Sequence, residues 1–479
     1  MTRMDVARVT TIVALVGAAV VTGTASGPSR AQGAALVRSV SSPAAERVLF
    51  REDFEDGGPS PTLVTASGRY AADPAWTTAC NGDVVAHAMP ASEVSATTCT
   101  EKSAASNAAA FAQIRELARA LGTGPVGERS ANHALAGYTD GADPGADRLV
   151  LGTRQPIALP SGADAHFLAV RLRTAAVNCD HPGPRYRIEV VDGAGHPHET
   201  GEPLDGCAGP GPVVVGEHRT GAVLVPGRTA GLHLRNANGS GTGNDGAIDD
   251  LALLDVTPTL RPSFSPTSVA PGGSSTLTFT VLNTSEAGTK PGFSVIDELP
   301  AGLRVDAVPA FATTCTDADL TAVGASTLRL HGSLAEGQEL CTFSLRVRAS
   351  VPGSSVIGAG YLHDAAGLEP VGSATLQVRP VLELRTSART VSAVEVEWTF
   401  EVTNTGPSRI ATIWVVDDTA GPVVCPTGPV LPGRTVACRA HAPYVPSAGD
   451  VRRGVVRRTT AARGPGVSSV DVRTVTRLR

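Results

Sequence analysis

The strongest constraint on how this chain can fold is an alternation of period two that occurs twice, about 120 residues apart. In STLTFTVLNTSE (residues 275–286), Leu277, Phe279 and Val281 share one face, and Thr276, Thr278 and Thr280 share the other. Trp398, Phe400 and Val402 repeat the pattern in VEWTFEVTNTGP (residues 396–407). Successive side chains of a strand point to opposite faces, so each segment reads as a strand with one face on a core. Each is followed by a strand closing on Asp297 or Asp417, in FSVIDELPAGL and IWVVDDTAGP, and then by a glycine turn leading to a cysteine-bearing strand. Two copies of one module follow. Short strands separated by Gly, Pro and Asn turns read as antiparallel sandwiches of immunoglobulin-like type. Asn283 and Asn404 end their strands, where an asparagine can bond nearby backbone and start a turn.

At 479 residues the chain suits about three domains. Its 52 glycines and 35 prolines favour strands joined by turns. The net charge of −5 gives no hint of a nucleic-acid surface. The first residues carry Arg3 and Arg8, an uncharged apolar run from Val9 to Val21 and then small residues, the pattern of a secretory signal peptide. The run is shorter than the roughly 20 residues that span a bilayer, and no later segment is apolar for long enough to do so. We therefore expect a signal peptide (1–31), a linker (32–46), a first domain (47–257) and two repeat domains (258–380 and 381–479).

Eight cysteines, an even number, fit an oxidising compartment. They fall in neighbouring pairs that can each close a local loop: Cys80 with Cys99, Cys179 with Cys207, Cys315 with Cys341, and Cys425 with Cys438. No C-x-x-C spacing suggests zinc. Lys102 and Lys290 are the only lysines, an arginine bias that points to a GC-rich bacterial genome of actinobacterial type.

The first repeat, through SFSPTSVAPGGSSTLTFTVLNTS, IDELPAGL and GSLAEGQELCTFSLRV, resembles the DUF-eleven type of repeat domain on bacterial surface and cell-wall proteins. The second copy is similar through EVTNTGP and VVDDT. The resemblance implies extracellular β-sandwich stalks or spacers and brings no catalytic residues.

Residues 47–257 have a different texture. They open with RVLFREDFEDG, close with GNDGAIDDLALLDV, and hold strand-like runs between. One helix interrupts: Phe111, Ile114, Leu117, Ala118 and Leu121 line one face at helical spacing, and Gly122 suits its C-terminal cap. The acidic opening and closing resemble those of the jelly-roll domains of bacterial adhesins and lectin-like modules. That resemblance implies neighbouring first and last strands with a calcium ion tying them together. Carried over, the candidate ligands are Asp53, Glu55, Asp56, Asn238, Asn244, Asp245, Asp249 and Asp250. Gly246 stands where related motifs carry an aromatic residue. Independently, calcium takes six to eight oxygen ligands, and the loop GSGTGNDGAIDD supplies carboxylates, amides and glycine-freed carbonyls. Asp249 and Asp250 would point to opposite faces of a strand, so both could bind only if the backbone bends. A solvated acidic turn is the other reading.

No metalloprotease, G-x-S-x-G, Walker or dinucleotide motif occurs. His196 and His198 could converge if their segment were extended. An acidic pair of glycosidase type depends on spatial separation, which sequence does not give. Trp76 and Tyr138 are the aromatic candidates for ligand contact in the first domain. Near the C-terminus, Arg452, Arg453, Arg457 and Arg458 read as partly exposed on the last strands, with a patch for acidic cell-wall polymers as a further possibility; the segment has no LPxTG-like motif or apolar tail. The expectation is an all-β chain: an N-terminal jelly-roll-like β-sandwich with one short helix, followed by two immunoglobulin-like β-sandwich domains. Its expected role is that of a secreted or cell-surface structural or adhesion protein without catalysis, either released or held noncovalently at the cell wall. The alternatives are a calcium-dependent carbohydrate-binding protein and, behind it, a secreted hydrolase. The partner is an unidentified extracellular one, a cell-wall polymer, glycan or surface protein.

Overall fold

Two long apolar strands, Ala165–Val177 and Asp245–Asp255, run antiparallel at the centre of the first half and are buried on both faces. A strand exposed on one face alternates apolar and polar; these do not, because something packs on each side. The computed structural model describes residues 43–78, 81–90, 104–139, 144–306, 311–379, 381–392, 395–406, 409–465 and 467–478. The signal peptide expected over residues 1–31 and the Cys80–Cys99 pair lie outside these.

On one face Leu168, Val170, Leu172, Ile248, Leu251 and Leu253 meet a second sheet, in which Arg185–Asp192, Thr229–Asn236 and Arg148–Thr153 are adjacent. That is the core of the first sandwich. The other face is divided along the length of the strands. At one end, Ala175, Val177 and Ala247 lie under the helix Ala104–Leu121, which buries Phe111, Ile114, Leu117, Ala118 and Leu121 as their spacing predicts. Ala134 and Ala136 of the neighbouring strand complete the seat, and small side chains there let the helix lie close to the sheet. Gly122 follows the helix without adopting a positive φ, and a Cβ there would fall 2.8 Å from the backbone of Arg129, so the glycine lets the next helix, Val126–Ala131, pass close by.

At the other end, Phe167, Ala169, Ala252, Leu254 and Val256 join Leu260, Phe279, Phe293 and Phe343 in a single apolar cluster. The core of the first repeat thus continues across residue 257 into the first sandwich. Polar ties reinforce it: Arg47 binds Asp255 at 2.8 Å and Glu369 at 2.9 Å, and the backbone of Ala44 bonds Asn283 and Ser285.

Both repeats are sandwiches. In the first, Ser274–Leu282 lies between Thr259–Ser265 and Leu340–Ala349, facing Lys290–Glu298 and Thr327–Leu334. In the second, Glu395–Asn404 lies between Leu382–Ser392 and Thr435–Ala440, facing Trp414–Asp417, Val455–Gly464 and Val472–Arg477. Leu277, Phe279 and Val281, and Trp398, Phe400 and Val402, are all fully buried, as the alternation requires. Asn283 and Asn404 are buried too. Each donates its side-chain amide to loop carbonyls, of Gly288 and Gln338 in one copy and Val430 in the other. Cys179–Cys207, Cys315–Cys341 and Cys425–Cys438 are disulfides, paired as expected. The C-terminal arginines depart from expectation at one position: Arg458 points inward and is 3% exposed.

Candidate functional site

The opening strand Arg47–Glu52 pairs with Leu251–Asp255 of the closing strand, so the acidic ends of the first sandwich do meet. Between Asp249 and Ala252 the register against Ala165–Val177 slips at a bulge, where Asp250 adopts φ 51°. Aspartate tolerates this left-handed conformation better than most residues, and here the Asp249 carboxylate accepts the Asp250 N–H at 2.7 Å. The backbone bend needed for both aspartates to share a ligand is therefore present.

The carboxylates are nevertheless apportioned to different partners. Asp250 takes Arg51 at 2.8 Å, and the same guanidinium lies 3.9 Å from Asp53. An arginine from the opening strand thus occupies the place between the two acidic segments that a cation would fill. Glu55 accepts the His133 N–H at 3.0 Å, and Asp56 is exposed near Arg69. Asp249 is 2% exposed and accepts from Asn132 at 2.9 Å; burial pushes its carboxyl up to about 7.

Asp245 sits further along, with both oxygens occupied by donors: the Thr139 N–H at 2.7 Å on one and the Asn178 amide at 2.7 Å on the other. Asn244 and Asn238 close the glycine loop on itself. Asn236 donates to Asn244 at 2.7 Å, Asn244 donates to the Asn238 carbonyl at 2.9 Å, and Asn238 donates to Pro182 and Gly183 carbonyls. The glycines answer to packing. A Cβ on Gly239 would lie 2.5 Å from the Ala146 nitrogen, and one on Gly246 would lie 2.4 Å from the Tyr186 hydroxyl. Tyr186, from the facing sheet, therefore occupies the space over Gly246, the position at which related motifs carry an aromatic residue. Burial first, and the Asp245 charge second, raise its phenol above the usual range.

The residues present do not fit one calcium ion. The eight candidates are distributed over an arginine-bridged junction, a buried carboxyl and an asparagine-closed loop. Among the described residues no group of three or more His, Cys, Asp and Glu side chains is placed to hold a metal. His196 and His198 do converge, but on Asp192, at 3.3 and 3.2 Å, where they close a hairpin turn. Trp76 is 4% exposed in the sandwich core, which leaves no ring face for a ligand, and Tyr138 packs against the helix cluster.

Beside the junction is a cleft of about 430 Å³, lined by Phe54, Asp56, Leu63, Arg69, Tyr70 and Val84. Beneath it Glu52, 4% exposed, accepts the Phe54 N–H at 2.7 Å and the Tyr70 hydroxyl, and pairs with Arg69 at 3.1 Å. Sequence reasoning missed Arg51, Glu52, Asn132 and Asn178. Pairing the opening and closing strands residue by residue would have brought Arg51 to Asp250, but no local signal marks the two asparagines.

Fold and junction together define a protein of tandem β-sandwiches whose buried polar groups hold strand ends and loops in register. Residues 258–378 match the family described as a domain of unknown function (DUF7933), where the repeat had suggested the DUF-eleven type. No curated protein matches the chain. Among solved structures it is similar to the Yersinia pseudotuberculosis adhesin InvE, with 14% identity and a TM-score of 0.16 over 47% of this chain and 60% of that one. It is also similar to BcpA, the major pilin subunit of Bacillus cereus, with 10% identity and a TM-score of 0.22 over 64% of this chain and 95% of that one. The chain thus spans less than two thirds of the adhesin's length.

Proposed function

We propose that this is a secreted or cell-surface protein that works by binding and by rigid presentation, without catalysis. The observation that carries the reading is the apolar cluster that crosses residue 257 and makes the first sandwich and first repeat one body. Domains linked only by a flexible segment move relative to one another by default; a shared hydrophobic core removes the hinge. Such a body suits a spacer that must hold a surface in a fixed orientation. Disulfides within the first sandwich and both repeats accord with an oxidising, extracellular setting. The apportioned carboxylates lead the reading away from calcium-dependent sugar binding.

The test is retention under flow. Beads coated with the purified chain should be held on cell-envelope fragments or glycan-coated glass more strongly than albumin-coated beads, and excess chelator should not release them. Equal wash-off from every surface, or soluble fragments accumulating from the glycans, would overturn the proposal.

A further inference from the structure

The second repeat carries a surface that the acidic loops of the first sandwich do not share. The chain has three tryptophans; Trp76 and Trp398 are buried, while Trp414 is 43% exposed. Trp414 lies on the edge strand Trp414–Asp417, directly opposite Arg463, with Val416 on the same outer face. Register carries that face across the sheet. Arg457 stands opposite Val475, and Arg473 and Arg477 flank Val475 on the last strand. Arg457, Arg463, Arg473 and Arg477 are all exposed, and no carboxylate pairs with any of them among the described residues. Asp417 is turned inward against Arg458, and Asp418 is engaged by Thr419 and the Thr459 N–H. Although the chain is −5 overall, residues 381–479 hold 13 arginines against 8 carboxylates.

From Arg463 to Val455 the face is about 25 Å long at the usual rise per strand residue. At one end, Trp414 and Arg463 line a cleft of about 280 Å³ with Pro271, Val381, Val467 and Ser468. Arginine forks suit carboxylates, and an exposed indole is a stacking platform for the apolar face of a sugar ring. Unpaired charge on an elongated strip suits an extended polyanion better than a compact ligand.

We infer that this face binds an acidic polysaccharide of uronate type, with Trp414 stacking on a sugar ring and the four arginines pairing with successive carboxylates. This does not depend on the role proposed for the first sandwich. The test measures binding of the full chain to polygalacturonate, with dextran, polyglutamate and phosphatidylglycerol vesicles as comparisons. Polygalacturonate alone should bind well, and should weaken as salt rises. Trp414→Ala, and separately Arg457→Gln with Arg473→Gln, should each weaken it about tenfold. Trp414→Tyr should recover part of the loss, while Arg439→Gln, on the opposite sheet, should change nothing. Unchanged melting of each variant would show that the fold is intact. Polyglutamate binding as well as polygalacturonate would overturn the inference in favour of charge alone, and preferential vesicle binding would do so in favour of a membrane. Full affinity in Trp414→Ala would remove the sugar-stacking role.

Discussion

Asp297 and Asp417 occupy corresponding places in the two repeats and meet opposite fates. Asp417 accepts Arg458 at 2.7 Å, the Thr419 and Ala420 N–H groups at 2.9 and 2.7 Å, and the Thr460 hydroxyl. Burial pushes its carboxyl up, but these hydrogen bonds and the Arg458 charge outweigh that and hold it below the usual range. Arg458 in turn lies over Trp398 and Phe400, at 4.6 and 5.0 Å from their ring centres. Asp297 is fully buried with neither oxygen hydrogen-bonded, and burial raises it to about 7. A raised carboxyl binds its proton more tightly folded than unfolded, so its stabilising effect is complete below the unfolded value. It is lost as pH rises towards the folded one. Asp297→Asn should therefore stabilise the first repeat by on the order of 1–3 kcal/mol at about pH 8 and change little near pH 4. Urea melts at the two pH values check this. Asp83, raised to about 6, and Asp249, raised to about 7, add to the same decline in stability above about pH 4. Removing the cation from the other copy should be severe: Arg458→Met leaves a buried carboxylate without its partner, at a cost of about 3–5 kcal/mol.

Among the elements, the strands were legible because alternation records which face is buried, and the helix because its apolar stripe survives at its own period. The cysteine pairs were legible from proximity in sequence. Replacing Cys315 and Cys341 together by alanine should destabilise the first repeat by about 2–4 kcal/mol through a freer unfolded chain, measured by chemical denaturation. Ala175 shows what single-strand reading leaves out. Its importance comes from the helix above it, so Ala175→Leu should cost about 1–3 kcal/mol by overpacking and loosen the helix first in hydrogen exchange. The acidic loop was misleading for a similar reason. Its oxygens are those a calcium site would use, but which donors reach them is decided by Arg51, Asn132, Thr139 and Asn178, all far away in sequence. Likewise, "RR" at 457–458 reads as one exposed pair, yet strand geometry turns Arg457 outward and Arg458 into the core.

For the molecule as a whole, the central claim is that the first sandwich and first repeat are one mechanical body. Phe167 is the residue on which it turns: it comes from the first sandwich, is fully buried, and lies in the core of the repeat. Its truncation to alanine should cost about 3–5 kcal/mol. The deciding measurement is hydrogen exchange across a urea gradient on the full chain, comparing wild type with Phe167→Ala. The account predicts that amides in Asp245–Asp255 and in Ser274–Leu282 lose protection together and move to lower urea together, while Glu395–Asn404 keeps its own midpoint. If the variant lowers the midpoint of the first sandwich and leaves Ser274–Leu282 where it was, the two are separate domains and the rigid-presentation account is wrong.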